Sequence, residues 1–356
     1  MKKYIFLSNE NHSGKTSIIL GLGLLLKERK KSLVYYKPWS ILSQYDEKGE
    51  LTDSNLPLMK KSLGLVEEEA ELFGLSIPPN YFSEFLLQGR ENILKLIQSG
   101  LDDILQKSYD FLLIEGHGYP FFGHFLDISH KTIGEYAEAQ PVIIGAIDKI
   151  DIDRIVDSIL SIKVMYDDDQ EFLCILNKIP LDYPQEQIEL ITKELEKQKI
   201  HVIGTIPESK ILAFPTVRDI FKRLQGQPVI PPTEENANNI VQNFLIGAMD
   251  VDAALPYLRK TPSKTVITGG HRSDLILAAM ETDTVLIIIT GTKYPESKVL
   301  LQARKRNIPI LLVPYDTHTV TKQIDNMTWL TPPDNIKKIE KIKNLVSEFV
   351  DLNKLM

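Results

Sequence analysis

The stretch that most constrains this chain lies at its start. Residues Lys3-Tyr4-Ile5-Phe6-Leu7 have the make-up of a buried strand, and Ser8-Asn9-Glu10-Asn11-His12-Ser13 form a polar loop that closes on Gly14-Lys15-Thr16. Ser17 and the apolar run Ile18–Leu26 then read as a helix. Strand, phosphate loop and helix in this order are the parts of a P-loop. Successive backbone N–H groups wrap phosphate oxygens, and the helix N-terminus adds partial positive charge. On this reading Asn11, His12, Ser13, Gly14, Lys15, Thr16 and Ser17 contact a nucleotide. Lys15 reaches the outer phosphates and the Thr16 hydroxyl holds Mg²⁺. The common pattern has Gly five residues before Gly14, where Asn9 stands, and Ser8 sits one place earlier. The spacing asks for a loop one residue longer, or for an Asn in the left-handed conformation.

The residues beyond the loop set the fold class. Apolar runs recur at residues 4–8, 33–37, 111–115, 142–147, 172–177 and 202–204, mostly continuous rather than alternating, as in strands covered on both faces. Amphipathic helical patterns lie between them at 17–30, 91–107, 151–165 and 185–198. This alternation predicts an α/β domain with a doubly wound, mostly parallel sheet over residues 1–224. Residues 225–234, Gln-Gly-Gln-Pro-Val-Ile-Pro-Pro-Thr-Glu, read as a linker. A second, smaller α/β domain is expected over 235–356. Its helices are predicted at 235–245, 252–258, 273–281, 297–306 and 317–325, its strands at 264–268, 284–290 and 308–313, and its last helix at 335–352.

Composition narrows the partners. A net charge of −7 argues against a nucleic-acid surface, and no apolar run is long enough to cross a bilayer. The one cysteine, Cys174, lies in an apolar strand and reads as a buried, inert thiol; with no leader at the start, a reducing cytoplasm is the expected setting. The seven histidines fall in no zinc-ligand spacing.

Chemistry-bearing residues cluster at strand ends, where ligands of parallel sheets bind. Lys37 closes the second strand ahead of Pro38, placed to meet a phosphate or a carboxylate. Glu115 ends the apolar strand Phe111–Glu115 and is followed by Gly116-His117-Gly118, the arrangement of an acid that holds Mg²⁺ beside a P-loop. Asp53 is either a second Mg²⁺ ligand or the cap of a helix from Leu56. Asn177, ending its strand before Lys178, either reads a purine base or starts a turn. In the second domain Thr268-Gly269-Gly270-His271-Arg272 forms a glycine turn between strand and helix. Ser273 or Asp274 is placed to cap that helix, and Arg272 to pair with a phosphate. With the turn at Thr290-Gly291 and the strand end at Asp316, three loops converge on a small-ligand pocket.

Together the first-domain features resemble the dethiobiotin synthetase-like branch of P-loop proteins. The matches are the lengthened loop Ser8–Thr16, Tyr36-Lys37-Pro38, Glu115-Gly116-His117-Gly118, Asn177 and Gly204-Thr205-Ile206-Pro207. The resemblance implies that Lys15, Thr16, Lys37, Asp53 and Glu115 bind ATP and Mg²⁺, with Lys15 and Lys37 in catalytic roles and Asn177 as adenine reader. The second domain resembles the DRTGG domain through Phe244–Met249, Val266–Asp274 and Val313–Thr317, with His271 where the family has an acid. This pairing occurs in long bacterial phosphate acetyltransferases, whose acetyltransferase domain these residues do not include, so that activity is not expected. The expectation is an ATP- and Mg²⁺-binding regulatory or sensor protein with slow or no hydrolysis. A small-molecule effector is expected on the second domain, and a homo-oligomer across the P-loop face. The alternative is an ATP-dependent ligase in which Lys37 binds the carboxylate to be activated; a scaffold with a vestigial loop is the third reading.

Overall fold

The computed structural model describes residues 1–41, 43–45, 51–77, 91–147, 152–325 and 331–356. The chain forms two compact units: Met1–Ser209 with Thr331–Met356, and Lys210–Leu330.

The first unit is built on seven strands: β1 (Lys2–Ser8), β2 (Leu33–Ser40), β5 (Phe73–Ser76), β6 (Phe111–Glu115), β7 (Gln140–Ala146), β8 (Phe172–Ile179) and β9 (Ile200–Pro207), with a small antiparallel hairpin of β3 (Ser43–Tyr45) and β4 (Leu51–Asp53). Their spatial order is β5-β2-β6-β1-β7-β8-β9, and every neighbouring pair is parallel. β1 lies between β6 and β7, so the chain winds first to one side of it and then to the other. Its carboxyl end is therefore the switch point where a doubly wound sheet opens a crevice. The continuous apolar runs predicted as strands are buried, with Ile5, Phe6, Leu7, Leu112 and Ile114 fully inaccessible. β5 escaped sequence reading because it has four residues. It fits beside β2 through Gly74, where a Cβ would fall 2.1 Å from the Pro38 carbonyl oxygen.

Helix α1 (Lys15–Glu28) is buried on nearly every side, as a helix apolar all round must be. Two glycines let neighbours close in. A Cβ on Gly21 would lie 2.5 Å from Val346, and one on Gly23 2.7 Å from Leu63 of α2 (Leu56–Leu63). Val346 belongs to the C-terminal helix Ile336–Phe349, whose Ile342, Leu345 and Val346 are buried. That helix was expected in the second domain. It packs instead in the first unit, because α1 has an apolar flank to cover, and Asp351 N–H then bonds to the Ile203 carbonyl at the end of the run.

The second unit has a five-stranded sheet in the order β10 (Gln227–Ile230), β14 (Ile310–Val313), β13 (Thr284–Thr290), β12 (Lys264–Gly269), β11 (Asn243–Ile246). β11 to β14 are parallel and β10 runs antiparallel along the edge. Helices Val217–Arg223 and Thr317–Asp325 cover one face, where Val217, Ile220, Val320 and Ile324 meet Ile267, Ile288 and Leu311. Helices Ser273–Met280 and Ser297–Lys305 cover the other. Three expectations are corrected here. The unit begins at Lys210, since the Thr216 and Asp219 capping box starts a helix that belongs to its core. The supposed linker supplies β10, where an edge position tolerates Pro228. The helix expected at 235–245 is not formed; its apolar end pairs as β11, with Phe244 opposite Thr265 and Leu245 opposite Val266, so sheet pairing overrides a helical spacing.

Candidate functional site

The loop leaving β1 is held from three sides. Asn9 does not adopt the left-handed conformation; its side chain staples the loop to β7, accepting from Ala146 N–H at 3.0 Å and donating to Ser158 Oγ at 3.1 Å. The left-handed residues are His12, with φ 60°, and Gly14, with φ 91°. Asn177 donates from Nδ2 to the Ser13 carbonyl at 2.7 Å, and Lys178 donates to the His12 carbonyl. Both side chains come from a bulge: between Leu176 and Ile179 β8 carries one residue more than β9, and Lys178 sits at φ 56°. Bulges re-aim side chains in this way beside functional sites. Gly14 has no space for a side chain, since a Cβ there would fall 2.4 Å from Asn177 Nδ2.

Thus clamped, the loop turns donors toward one point. Among the described residues, the N–H groups of Ser13, Gly14, Lys15 and Thr16 have no hydrogen-bond acceptor, and the buried Ser13 hydroxyl has no partner. Unsatisfied first-turn amides together with a buried orphan hydroxyl fit a phosphate group. Ser17 follows in the first turn of α1. Lys15 is 7 % exposed. Its Nζ lies 3.2 Å from the His117 carbonyl and 3.5 Å from Ser8 Oγ. Burial lowers its pKa to about 8, an effect that Glu115 opposes and Lys37 reinforces.

Below the loop lies a buried charge network. Thr16 Oγ1 donates to Glu115 Oε1 at 2.6 Å, Tyr35 OH donates to Glu115 Oε2 at 2.9 Å, and Lys37 Nζ lies 3.3 Å from Glu115 Oε1 and 3.2 Å from Asp53 Oδ2. Ser40 donates to Asp53 Oδ2 at 2.6 Å, and Asp53 Oδ1 accepts from Asn55 N–H at 2.9 Å. Asp53 thus joins the site, and the cap of α2 is Asn55. Burial alone would raise Glu115, but Lys37 and then Lys15, with bonds from Thr16 and Tyr35, hold it below the ordinary glutamate range. Burial opposes the charged form of Lys37, yet Glu115 and Asp53 keep its pKa above the ordinary lysine value. Glu115 thus stays ionised beside the Lys37 ammonium.

The donor chemistry fits Mg²⁺ in part. Thr16 and Glu115 offer adjacent hard oxygens, while no group of three His, Cys, Asp or Glu able to hold a metal by itself occurs among the described residues. Such a site takes Mg²⁺ together with phosphate oxygens, as Mg²⁺ usually binds.

Sequence reasoning missed Tyr35, Ser40, Trp39 and His130. Strand alternation was the available signal for two of them: Tyr35 and Trp39 share a face of β2 with Lys37. Trp39 stacks on His117, with centroids 4.5 Å apart and planes 5° from parallel. Burial, then Lys15 and Lys37, lowers His117 to about 3. Its Nδ1 accepts from Tyr119 N–H at 3.2 Å, so the neutral ring carries its proton on Nε2. His130 is buried against Gly116, and burial lowers it also to about 3. Cys174 is inaccessible on β8, and burial pushes its thiol up to about 12, as an inert strand cysteine requires.

In the second unit the glycine turn and its neighbours lie at the carboxyl edge of the parallel strands, but the residues serve one another. Thr268 Oγ1 donates to the Gly247 carbonyl at 3.1 Å. Gly269 and Gly270 form the turn, and a Cβ on Gly270 would collide with the Lys293 carbonyl. Arg272 donates to the Met249 carbonyl at 2.7 Å and pairs with Asp274 at 3.3 Å, while His271 is exposed. The N-cap position of this helix is Arg272 and bears no side-chain cap, contrary to the Ser273 or Asp274 cap expected, because Asp274 is engaged by the arginine. Asp316, separated from β12 by β13, accepts from the N–H and hydroxyl of Thr319 in its own helix start. The loops share an edge, but Arg272 spends its bonds on Met249 and Asp274, and Asp316 on its own helix start.

Among known proteins, residues 219–327 match the DRTGG domain. A phosphate acetyltransferase of Synechocystis sp. is 26 % identical over 378 residues, which cover 100 % of this chain and 52 % of that protein. A phosphate acetyltransferase of Nitratidesulfovibrio vulgaris is 25 % identical, covering 98 % and 50 %. The chain spans about half the length of these relatives. The solved cobyrinic acid a,c-diamide synthase of Mycobacterium smegmatis, with bound ADP and magnesium, is 13 % identical over 59 % of this chain and 88 % of that one, at a TM-score of 0.36. No described helix is long and apolar enough to cross a membrane. With the strand order and the β1–α1 loop already in place, the chain joins a P-loop NTPase-like α/β unit to a DRTGG domain and is homologous to the matching part of phosphate acetyltransferases.

Proposed function

We propose that this chain is a nucleotide-binding regulatory protein whose first unit binds ATP with Mg²⁺ and turns it over slowly or not at all. The loop amides, Ser13, Lys15 and Thr16 receive the phosphates, while Thr16 and Glu115 contribute oxygens to Mg²⁺, which would neutralise phosphate charge. Asn177 spends its amide N–H on the Ser13 carbonyl, which leaves its oxygen as an acceptor for an exocyclic amine such as that of adenine.

The observation that carries the regulatory reading is the pairing of Lys37. A ligase of this build needs a lysine whose charge is available to the incoming carboxylate. Here the ammonium is shared between Asp53 and Glu115 at 3.2 and 3.3 Å. General-base hydrolysis is most effective when the base has a pKa near the working pH. Glu115 is held below the ordinary range, and His117 and His130 are lowered to about 3. None is matched to taking a proton from water near neutrality. The homo-oligomer, the cytoplasmic setting and an effector on the second unit belong to the same proposal.

Phosphate release at saturating Mg·ATP tests it, alone and with a panel of small carboxylates and amines. Turnover well below one per second throughout is the expected result, against typical enzymes at about 1–10³ per second. Stimulation of a hundredfold or more by one carboxylate would replace the regulatory reading with the ligase.

A further inference from the structure

His130 opens the helix His130–Ala137 and is 2 % exposed. Among the described residues, neither of its ring nitrogens has a hydrogen-bond partner. Buried polar groups are nearly always bonded, and a neutral imidazole carries one donor and one acceptor. The ring is nonetheless held firmly. The Ser129 hydroxyl caps its helix by accepting from Thr132 N–H at 3.2 Å. Just ahead, the Ile128 carbonyl accepts from Trp39 Nε1 at 3.2 Å, and Ile128 N–H donates to the Gly123 carbonyl at 2.9 Å. Further along the helix Gly134 packs on β1, where a Cβ would lie 3.2 Å from Ile5.

This anchored ring presses on the chain just past β6. A Cβ on Gly116 would fall 2.6 Å from His130 Cδ2 and 2.8 Å from its Nε2, so glycine there admits the Nε2 edge. The carbonyl of the next residue, His117, is near enough to favour the protonated ring without bonding to it. Burial, then Lys15, His117 and His124, outweigh that carbonyl and keep the ring neutral. The carbonyl is already taken, since Lys15 Nζ donates to it at 3.2 Å. The neighbouring Gly118 carbonyl accepts from Ser8 Oγ at 2.9 Å. Lys15 and Ser8 together tie the loop after β6 to the phosphate loop.

Phosphate changes one of these two ties. On the P-loop reading the Lys15 ammonium moves from its resting place to the outer phosphates. The His117 carbonyl then loses its donor, and an unpaired carbonyl in such a place costs about fivefold to a hundredfold in binding. At rest the unpaired group is the ring; with phosphate bound it is also the carbonyl beside the ring. One hydrogen bond between them satisfies both. A neutral ring makes that bond without adding charge next to the nucleotide.

We infer that His130 is a positioning residue of the nucleotide site: its ring N–H takes over the His117 carbonyl when Lys15 leaves it for phosphate, and so keeps the loop after β6 in place. The inference rests on the P-loop reading of Lys15.

Magnetic resonance of the histidine rings in the full chain tests this. The chain has seven histidines, so nitrogen labelling of histidine alone separates the rings, and the His130 signal is the one lost in His130→Gln. Titration with Mg²⁺ and a non-hydrolysable ATP analogue should move the His130 ring N–H downfield and slow its exchange with water. Lys15→Met, which frees the carbonyl, should give the same signal with no nucleotide. Calorimetry gives a second readout. His130→Phe should bind Mg·ATP about fivefold to a hundredfold more weakly, and His130→Gln, which keeps an N–H near the place of Nε2, should bind like wild type. The urea midpoint of His130→Phe without nucleotide should not fall, because the nitrogens removed are unpaired at rest. A histidine that only fills space would lower that midpoint and leave affinity unchanged, which would overturn the inference. Nucleotide bound by wild type with the ring signal unmoved, or Lys15→Met without the signal, would overturn it too and leave the P-loop reading standing. A wild type that binds no nucleotide, with the signal present in Lys15→Met, would overturn the P-loop reading and support the reach of His130 to that carbonyl.

Discussion

Lys15 shows how a single residue ties the fold to the proposed chemistry. Its ammonium is buried, its pKa is lowered to about 8, and it rests on the His117 carbonyl. Phosphate binds the protonated form, so binding raises the pKa again. Affinity for Mg·ATP at the P-loop should be flat below about pH 7 and fall toward tenfold per unit as pH rises past 8. Proton uptake on binding should appear above pH 8. Titration in buffers of different ionisation enthalpy measures both, and constant affinity from pH 7 to 9.5 would remove Lys15 from the phosphate contacts. Lys37 makes a different case. Removing it as Lys37→Met leaves Asp53 and Glu115 buried without their cation, a loss of about 3–5 kcal/mol in urea unfolding. A loss under 1 kcal/mol would mean that the network is hydrated. The sequence showed the members of this network without their connections. Glu115, Lys37 and Asp53 were visible as strand-end or post-strand charges. That one lysine serves both acids depends on which strands are neighbours, and β2 pairs with β6 through a crossover that spacing along the chain does not reveal.

At the scale of elements, close approach decides more than periodicity. α1 and the C-terminal helix touch through Gly21 and Val346. Gly21→Ala gains about 1 kcal/mol of helix propensity yet places a methyl 2.5 Å from Val346, so a net loss of about 1–2 kcal/mol is expected. Val346→Ala alone should also destabilise by opening a void, and the two together should cost less than their sum. Strict additivity in thermal or urea melts would show that the helices do not meet there. This contact explains a misplacement. The helix at 336–349 follows the second unit in sequence, and only the uncovered flank of α1 draws it to the first. Strands β1, β2, β6, β7, β8 and β9 and the helices that alternate with them were legible because a parallel sheet covered on both faces leaves a continuous apolar run. β5, β10 and β11 were not, since each has four residues and is fixed by pairing at a sheet edge or flank. The bulge that turns Asn177 and Lys178 onto the loop was likewise invisible. The two residues were seen, but their use as a clamp on the His12 and Ser13 carbonyls needed the third dimension.

Over the whole molecule, the chain places the clamped loop Ser8–Thr16 at the switch point of one parallel sheet and builds a second, separate sheet in the other unit. Each unit has its own core and its own sheet. The division was legible as a break in the apolar pattern, though residues 210–234 proved to belong to the second unit, where their capping box and edge strand are completed. The central claim is that the loop Ser8–Thr16 receives a nucleotide through Lys15. Trp39 reports on it directly. It stacks on His117, whose carbonyl holds Lys15 at rest, so drawing Lys15 toward phosphate disturbs the indole's surroundings. The other tryptophan, Trp329, lies outside the described residues and can be replaced by Phe. The measurement is Trp39 fluorescence in Trp329→Phe during titration with Mg·ATP, repeated with Lys15→Ala added. A saturable change that Lys15→Ala abolishes is the result expected. No change in either protein, confirmed by equilibrium dialysis showing no nucleotide bound at this unit, or the same saturable change in both, would contradict the account.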